Sequence, residues 1–388
     1  MTSDAVLRLR RGHDRARVHP WIFKGDVADV PRTEPGGAVT VIDSIGRFVG
    51  RGLFNPRPGL CCRIVTWEDE PLDDALWRAR MARAVERRAG RTGATRLVWS
   101  EADGLPGLVV DRYGPVAVLQ CLTLGMARRR AALVRALRDA IGDVAVLAAD
   151  EPAAAALEGF TALAGWVDEP RGPDSVVVDE GPARFLVRLG VGHKTGLYLD
   201  QTDNRLRVAG LAAGQTVLDA FAYTAGFACQ ALVAGAARAV CIESSKEALA
   251  GAVDNLALNG AIDRAEVRDA NAFDALRALE RANARFGLIV LDPPPFARTR
   301  TAVAGALRGY KEINLRAARL LEPGGILATF SCSFHVTASA FEAVVADAAT
   351  DAGVRLALLD QLGQSADHPS LLTVPETRYL KGLLLQAR

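Results

Sequence analysis

One thiol and four carboxylates stand at positions where an α/β enzyme could use them. The thiol is Cys332, in the run "GILATFSCSFHV", where an apolar stretch ends in Ser331-Cys332-Ser333. The carboxylates follow four apolar segments in order. "QTVLDAF" carries Asp219, "RAVCIE" ends in Glu243, "AEVRDA" carries Asp269 and "FGLIVLDPPPF" carries Asp292. A cysteine at a strand end can be a nucleophile in its thiolate form, or simply another buried apolar residue. Acids after strands also serve as turn and cap residues. Four of them in succession point instead to one binding edge. The first loop offers Phe221 and Gly226 but no G-x-G-x-x-G, so it makes no diphosphate nest and argues against an NAD-linked dehydrogenase. Asp219 suits a ligand bearing an amine. Glu243 can accept from a ribose diol, and Asp269 from an exocyclic adenine amine.

These side chains need a scaffold whose strands end on one edge. From about residue 210 strands and helices alternate, which implies a doubly wound, mostly parallel sheet. Ligands bind such sheets outside the carboxyl ends of the strands. A long helix over 301–321, ended by Pro323-Gly324-Gly325, leads into the strand "ILATFSCS". Upstream, residues 1–66 read as short strands separated by Gly, Pro and Asn. Residues 67–190 read as a small α+β unit, with helices over 71–90 and 126–142 and a hairpin around Glu180-Gly181-Pro182. The remaining domain is 191–388.

With 388 residues and 50% hydrophobic content, the chain can bury two or three cores. Its net charge of +2 favours no partner, but residues 1–66 hold 11 basic and 6 acidic side chains. That excess suits a phosphate-binding module, although it also serves solubility. Six cysteines without a CxxC suggest neither a disulfide framework nor a zinc site. No signal-peptide core and no apolar run of about 18 residues is found, so a cytoplasmic protein with no membrane partner is expected.

The strand-end order resembles the class I S-adenosylmethionine-dependent methyltransferases. That resemblance implies that Asp219, Phe221 and Gly226 hold the methionine end, Glu243 the ribose and Asp269 the adenine. A closer resemblance covers nearly the whole chain. "RVHPWIFKGDV", "EADGLPGLVVDRYG", "GHKTGLYLDQTDNR", "LDPPPF", "RGYKEINLRAARLLEPGGILATFSCS" and "YLKGL" are similar to the RlmI-type 23S rRNA 5-methylcytosine methyltransferases. It implies a PUA RNA-binding domain at 1–66, a central α+β domain at 67–190 and a Rossmann-like methyltransferase domain at 191–388. It also places Tyr198 and Gln201 beside the S-adenosyl-L-methionine cofactor. The implied partner is RNA, expected to be 23S rRNA, with no DNA, and a homodimer is expected from the family.

The same resemblance gives Cys332 a task. Carbon 5 of cytosine becomes nucleophilic when a thiolate adds to C6. The "DPP" loop carries no second cysteine, so Cys332 would act alone, with Asp292 on the N3/N4 edge of the base and at the cofactor. The family usually has lysine where this chain has Pro295. His335 could assist the thiol or belong to a loop, and His193 could contact RNA or satisfy a turn. Two alternatives stay open: an RNA methyltransferase acting on a base nitrogen, and a non-catalytic RNA-binding assembly factor. The target base would have to leave its stack to reach the site.

Overall fold

The computed structural model describes residues 5–12, 14–168, 171–190, 196–297 and 299–388. Contacts divide the chain into two units. The first comprises 1–176, 188–197 and 367–377; the second comprises 177–187, 198–366 and 378–388. This division draws no line at residue 66, groups most of the Glu180 hairpin with the second unit and sends a late segment to the first.

The first unit holds two sheets. Six short strands between Ala5 and Thr66 form a mixed sheet around Leu7, Ile22, Val39, Val41, Phe54 and Ile64. Five strands between Thr95 and Trp166 form the second sheet. The helices Asp74–Glu86 and Arg130–Ile141 bury Trp77, Met81, Leu133 and Leu137 in its core. The helix expected over 126–142 is in fact two pieces, Leu124–Ala127 and Arg130–Ile141. Thr123 caps the first, and Arg129 leaves helical geometry with ψ near 5°.

The second unit carries the site. Its sheet has strands β1 (Thr216–Ala220), β2 (Arg238–Glu243), β3 (Ala265–Asp269), β4 (Phe286–Leu291), β5 (Leu321–Ser331), β6 (Leu356–Gly363) and β7 (Lys381–Ala387). Their spatial order is β3-β2-β1-β4-β5-β7-β6. The first five are mutually parallel, and β7 runs antiparallel between β5 and β6. All six residues of β4 are buried, as a central strand covered on both faces requires.

Helices α1 (Thr202–Ala209), α2 (Gly226–Val233), α3 (Lys246–Leu258), α4 (Ala272–Arg281), α5 (Val303–Leu320) and α6 (Ala338–Ala352) complete the unit. Ser245, Asn271 and Thr337 cap α3, α4 and α6 by accepting from backbone N–H groups. Each such cap is worth about 1 kcal/mol. Leu276, Leu279, Tyr310, Ile313, Phe341 and Val345 pack on Leu218, Ile242, Ile289 and Leu327 of the sheet. Pro323-Gly324-Gly325 lies inside the start of β5, where Gly324 takes a left-handed φ of +76°. Among the described residues, no helix is long and apolar enough to cross a membrane.

Candidate active site

Parallel register sets the site. Ala220 pairs with Ile242 and with Leu291, Glu243 with Asp269, and Leu291 with Thr329. The residues that follow these positions therefore emerge on one sheet edge. Asp219, Glu243, Asp269, Asp292 and Cys332 all lie at or just past those ends.

Asp219 is buried, and its Oδ2 accepts from the N–H of Ala228 at 3.0 Å. Burial pushes its carboxyl up to about 7 despite that hydrogen bond, and the nearby charges of Asp292 and Glu243 add to the shift. Glu243 accepts three backbone N–H groups. Oε2 takes Tyr223 at 2.9 Å, while Oε1 takes Ser244 at 2.7 Å and Ser245 at 2.9 Å. A carboxylate has about four acceptor positions, so capacity remains for a ligand hydroxyl. Asp269 is exposed at the end of β3.

The loop after β1 is bent by non-glycine residues. Phe221, Tyr223 and Ala225 have φ of 65°, 49° and 62°. Backbones in this region are strained for side-chain-bearing residues and cluster at functional sites. Phe221 meets Phe273 and Phe296 edge-on, at centroid distances of 6.3 and 6.4 Å. A Cβ at Gly226 would lie 3.0 Å from Arg205 Cδ, so any larger residue there would press on that arginine. Arg205 is held by Glu180 of the hairpin, with Nε to Oε1 at 2.7 Å. Burial alone would raise the Glu180 carboxyl, yet Arg205 and hydrogen bonds from Thr202 and Gln230 hold it below its ordinary range.

Tyr198 stacks edge-on against Tyr223 at 4.8 Å. Burial, then Tyr223, Asp200, Asp292 and Cys332, push its hydroxyl up, so it stays neutral. Gln201 is buried and accepts from Asn204 Nδ2 through Oε1 at 2.5 Å. Its Nε2 has no hydrogen-bond partner among the described residues. An orphaned donor of this kind is expensive unless something accepts from it.

Cys332 differs from the other five cysteines, which are all buried. Burial drives those thiols up, Cys61 to about 11 and Cys121 and Cys229 to about 12, with Cys62 and Cys241 also raised. Cys332 alone is partly exposed. Its neighbours fix it. The Tyr310 hydroxyl is 2.9 Å from both Ser331 Oγ and Ser333 Oγ, so the flanking side chains are drawn to one buried group. The Cys332 Sγ–H instead donates to the carbonyl of Pro293 at 3.6 Å, in the loop that begins with Asp292.

The profile of an S-adenosylmethionine-dependent methyltransferase family matches residues 162–385, and that of a PUA-like domain matches 5–67. Proteins named ribosomal RNA large subunit methyltransferase I from Salmonella arizonae and Klebsiella pneumoniae are each 39% identical to this chain. Each match covers 97% of this chain and 96% of the relative.

The chain belongs to the ribosomal RNA large subunit methyltransferase I family.

Solved structures show the same fold. A methyltransferase complexed with SAH superposes with a TM-score of 0.84 at 19% identity, covering 98% of this chain and 99% of its own. A SAM-dependent methyltransferase from Streptococcus mutans gives 0.84 at 18% identity, with the same coverage. As a member of the ribosomal RNA large subunit methyltransferase I family, the chain is a SAM-dependent rRNA methyltransferase. The residues present fit that cofactor. A buried carboxyl facing other acids asks for a cation, Glu243 keeps acceptor capacity, and Gln201 offers an orphaned donor.

Sequence reasoning missed three features. Tyr310 and the Glu180–Arg205 pair lie far in sequence from what they hold. Lys381 was visible only as part of "YLKGL", yet its Nζ donates to the Ser333 carbonyl at 2.8 Å. His335 lies in the turn between β5 and α6, with its ring edge-on to Phe334 at 5.3 Å. His193 lies outside the described residues.

Proposed function

We propose that this chain methylates C5 of a cytosine in 23S rRNA through a covalent bond between Cys332 Sγ and C6 of the base. The observation that carries this reading is the position of Cys332. It is the one cysteine of six that is not buried, and it lies beyond β5 against the loop of Asp292. A base nitrogen already has a lone pair and needs no such thiol; C5 of cytosine does not.

Bound S-adenosylmethionine supplies an electrophilic methyl group. The thiolate of Cys332 adds to C6, and the C5=C6 π pair would form the bond from C5 to the methyl carbon as that carbon's bond to sulfur breaks, its electron pair leaving with S-adenosylhomocysteine. Loss of the C5 proton to a base then restores the double bond and expels the thiolate, so the enzyme is regenerated. Asp292 hydrogen-bonds the N3/N4 edge of cytosine and favours addition at C6. Asp219 takes the cofactor's amine, Glu243 its ribose hydroxyls and Asp269 its adenine amine. Asp292, Phe221, Gly226, Tyr198 and Gln201 complete the cofactor site. Residues 1–66 grip the RNA, 67–190 form a central α+β domain, and 191–388 perform the chemistry in the cytoplasm.

The test is methyl transfer to purified large-subunit rRNA by wild type and by Cys332→Ala, read base by base. We expect 5-methylcytosine from wild type only. Methylation that survives in Cys332→Ala would transfer the reading to a base nitrogen.

A further inference from the structure

The covalent reading needs a thiolate, and a free cysteine is only a few per cent ionised at neutral pH. Thiols that react at neutral pH do so beside a cation or a helix N-terminus. Of these, the surroundings of Cys332 offer a cation.

We propose that Lys381 is the positioning residue that holds a positive charge beside the Cys332 sulfur and stabilises its thiolate. The inference rests on the reading of Cys332 as nucleophile.

Topology brings the two together. Strand β7 runs antiparallel to β5, and Lys381 is the register partner of Ser331, the last residue of β5. Its side chain continues along the chain past that point. The Nζ donates to the carbonyl of Ser333 at 2.8 Å, so the ammonium spans the segment in which Cys332 is the middle residue. Among the described residues, Lys381 forms no ion pair with a carboxylate. One carbonyl is a poor replacement for the water that a half-buried ammonium gives up. Burial accordingly pulls the Lys381 amine down to about 8, and the charge of Cys332 opposes that fall. The same interaction, seen from the sulfur, favours its ionised form.

Among the described residues, Tyr198, Tyr310 and Asp292 also lie around this segment, and none of them is a cation. Tyr198 and Tyr310 are both pushed up by burial and stay neutral. Asp292 opens the loop whose Pro293 carbonyl meets Sγ and brings a carboxylate rather than a positive charge. His335 belongs to the following turn, where its ring packs edge-on to Phe334. Lys381, on the adjacent strand β7, is thus placed to balance a thiolate at Cys332.

The sign follows from the two protons. The active pair has the proton on nitrogen and not on sulfur. Because the Lys381 amine titrates near 8, its charge is present below that pH and is lost above it. Removing the amine leaves the thiol to ionise without help.

The experiment measures alkylation of Cys332 by iodoacetamide against pH in the full-length protein, with no RNA or cofactor. Mass spectrometry locates the label, and Cys332→Ser sets the background. We expect the alkylation midpoint of Lys381→Met to rise by about one pH unit, with about tenfold slower labelling at pH 7. Lys381→Arg should keep the wild-type midpoint, and labelling of all forms should converge at high pH. A purely structural role would lower the rate at every pH without moving the midpoint. An unchanged midpoint in folded Lys381→Met, or in Lys381→Gln should the first variant not fold, overturns the inference and leaves the covalent reading intact. Methylation surviving in Cys332→Ala overturns the covalent reading, whereas the alkylation midpoint still decides the charge pairing.

Discussion

Two groups of acids in this molecule are treated in opposite ways. In the first unit, the buried Asp103 and Asp111 sit in the grip of arginine. Asp103 takes Arg88 through both oxygens, at 2.6 and 2.7 Å, and Asp111 takes Arg96 through both at 2.7 Å. In the second unit, Asp219 and Glu243 accept only backbone N–H groups, and among the described residues neither has an ion pair. The first arrangement is closed: every charge is matched, and nothing is left for a ligand. The second is open, and its electrostatic demand can be met by a cationic ligand. A buried acid is therefore a functional signal only when its counter-charge is missing.

That contrast can be broken in order of size. Arg88→Met should cost about 3–5 kcal/mol, because it leaves Asp103 buried without its main partner. Denaturant unfolding would measure it, and cofactor affinity in the folded fraction should be unchanged. Asp219→Asn should do the reverse. Its native carboxyl keeps a proton up to about 7, whereas an unfolded one releases it near 4. The folded state thus binds the extra proton in that window, and wild-type stability should fall as pH rises through it. The variant should flatten this slope and lose S-adenosylmethionine affinity. In wild type, affinity should weaken by about tenfold for each pH unit below 7, with proton release on binding. Calorimetry in buffers of different ionisation heat checks both points.

Tyr310→Phe is the intermediate case. It removes the hydroxyl shared by Ser331 and Ser333 and should cost about 1–3 kcal/mol through the two orphaned side chains. Thermal unfolding checks that figure, and kcat should fall more than KM rises. At the small end, Arg47→Ala removes an exposed partner of Asp43 and should leave the thermal unfolding midpoint essentially unchanged.

The strand ends were legible because each β4-type apolar run and each capped helix announces itself locally. Asp219, Glu243, Asp269 and Asp292 could be ranked along one edge from that rhythm alone. What escaped were relations across distance. Nothing in "YLKGL" says that Lys381 pairs with Ser331, since the register is set by an antiparallel strand inserted between β5 and β6. Tyr310 reads as one more apolar position of a helix until its hydroxyl is found between two serines. Gly226 illustrates a different limit. The glycine itself is legible in the sequence, but the arginine on α1 against which a Cβ there would press is not. The break at Arg129 in the helix over 126–142 left no mark, because arginine is a good helix former.

The loop after β1 has one more consequence. Phe221, Tyr223 and Ala225 each hold a backbone shape that disfavours a side chain by about 1–2 kcal/mol. Three such residues within five make the loop a loaded spring held shut by its surroundings. Anyone engineering this enzyme for heat resistance would turn first to Ala225→Gly, which relaxes the most local of these tensions. Robustness and turnover are set to conflict at that position, because slackening the loop also loosens the floor on which Glu243 is held through Tyr223.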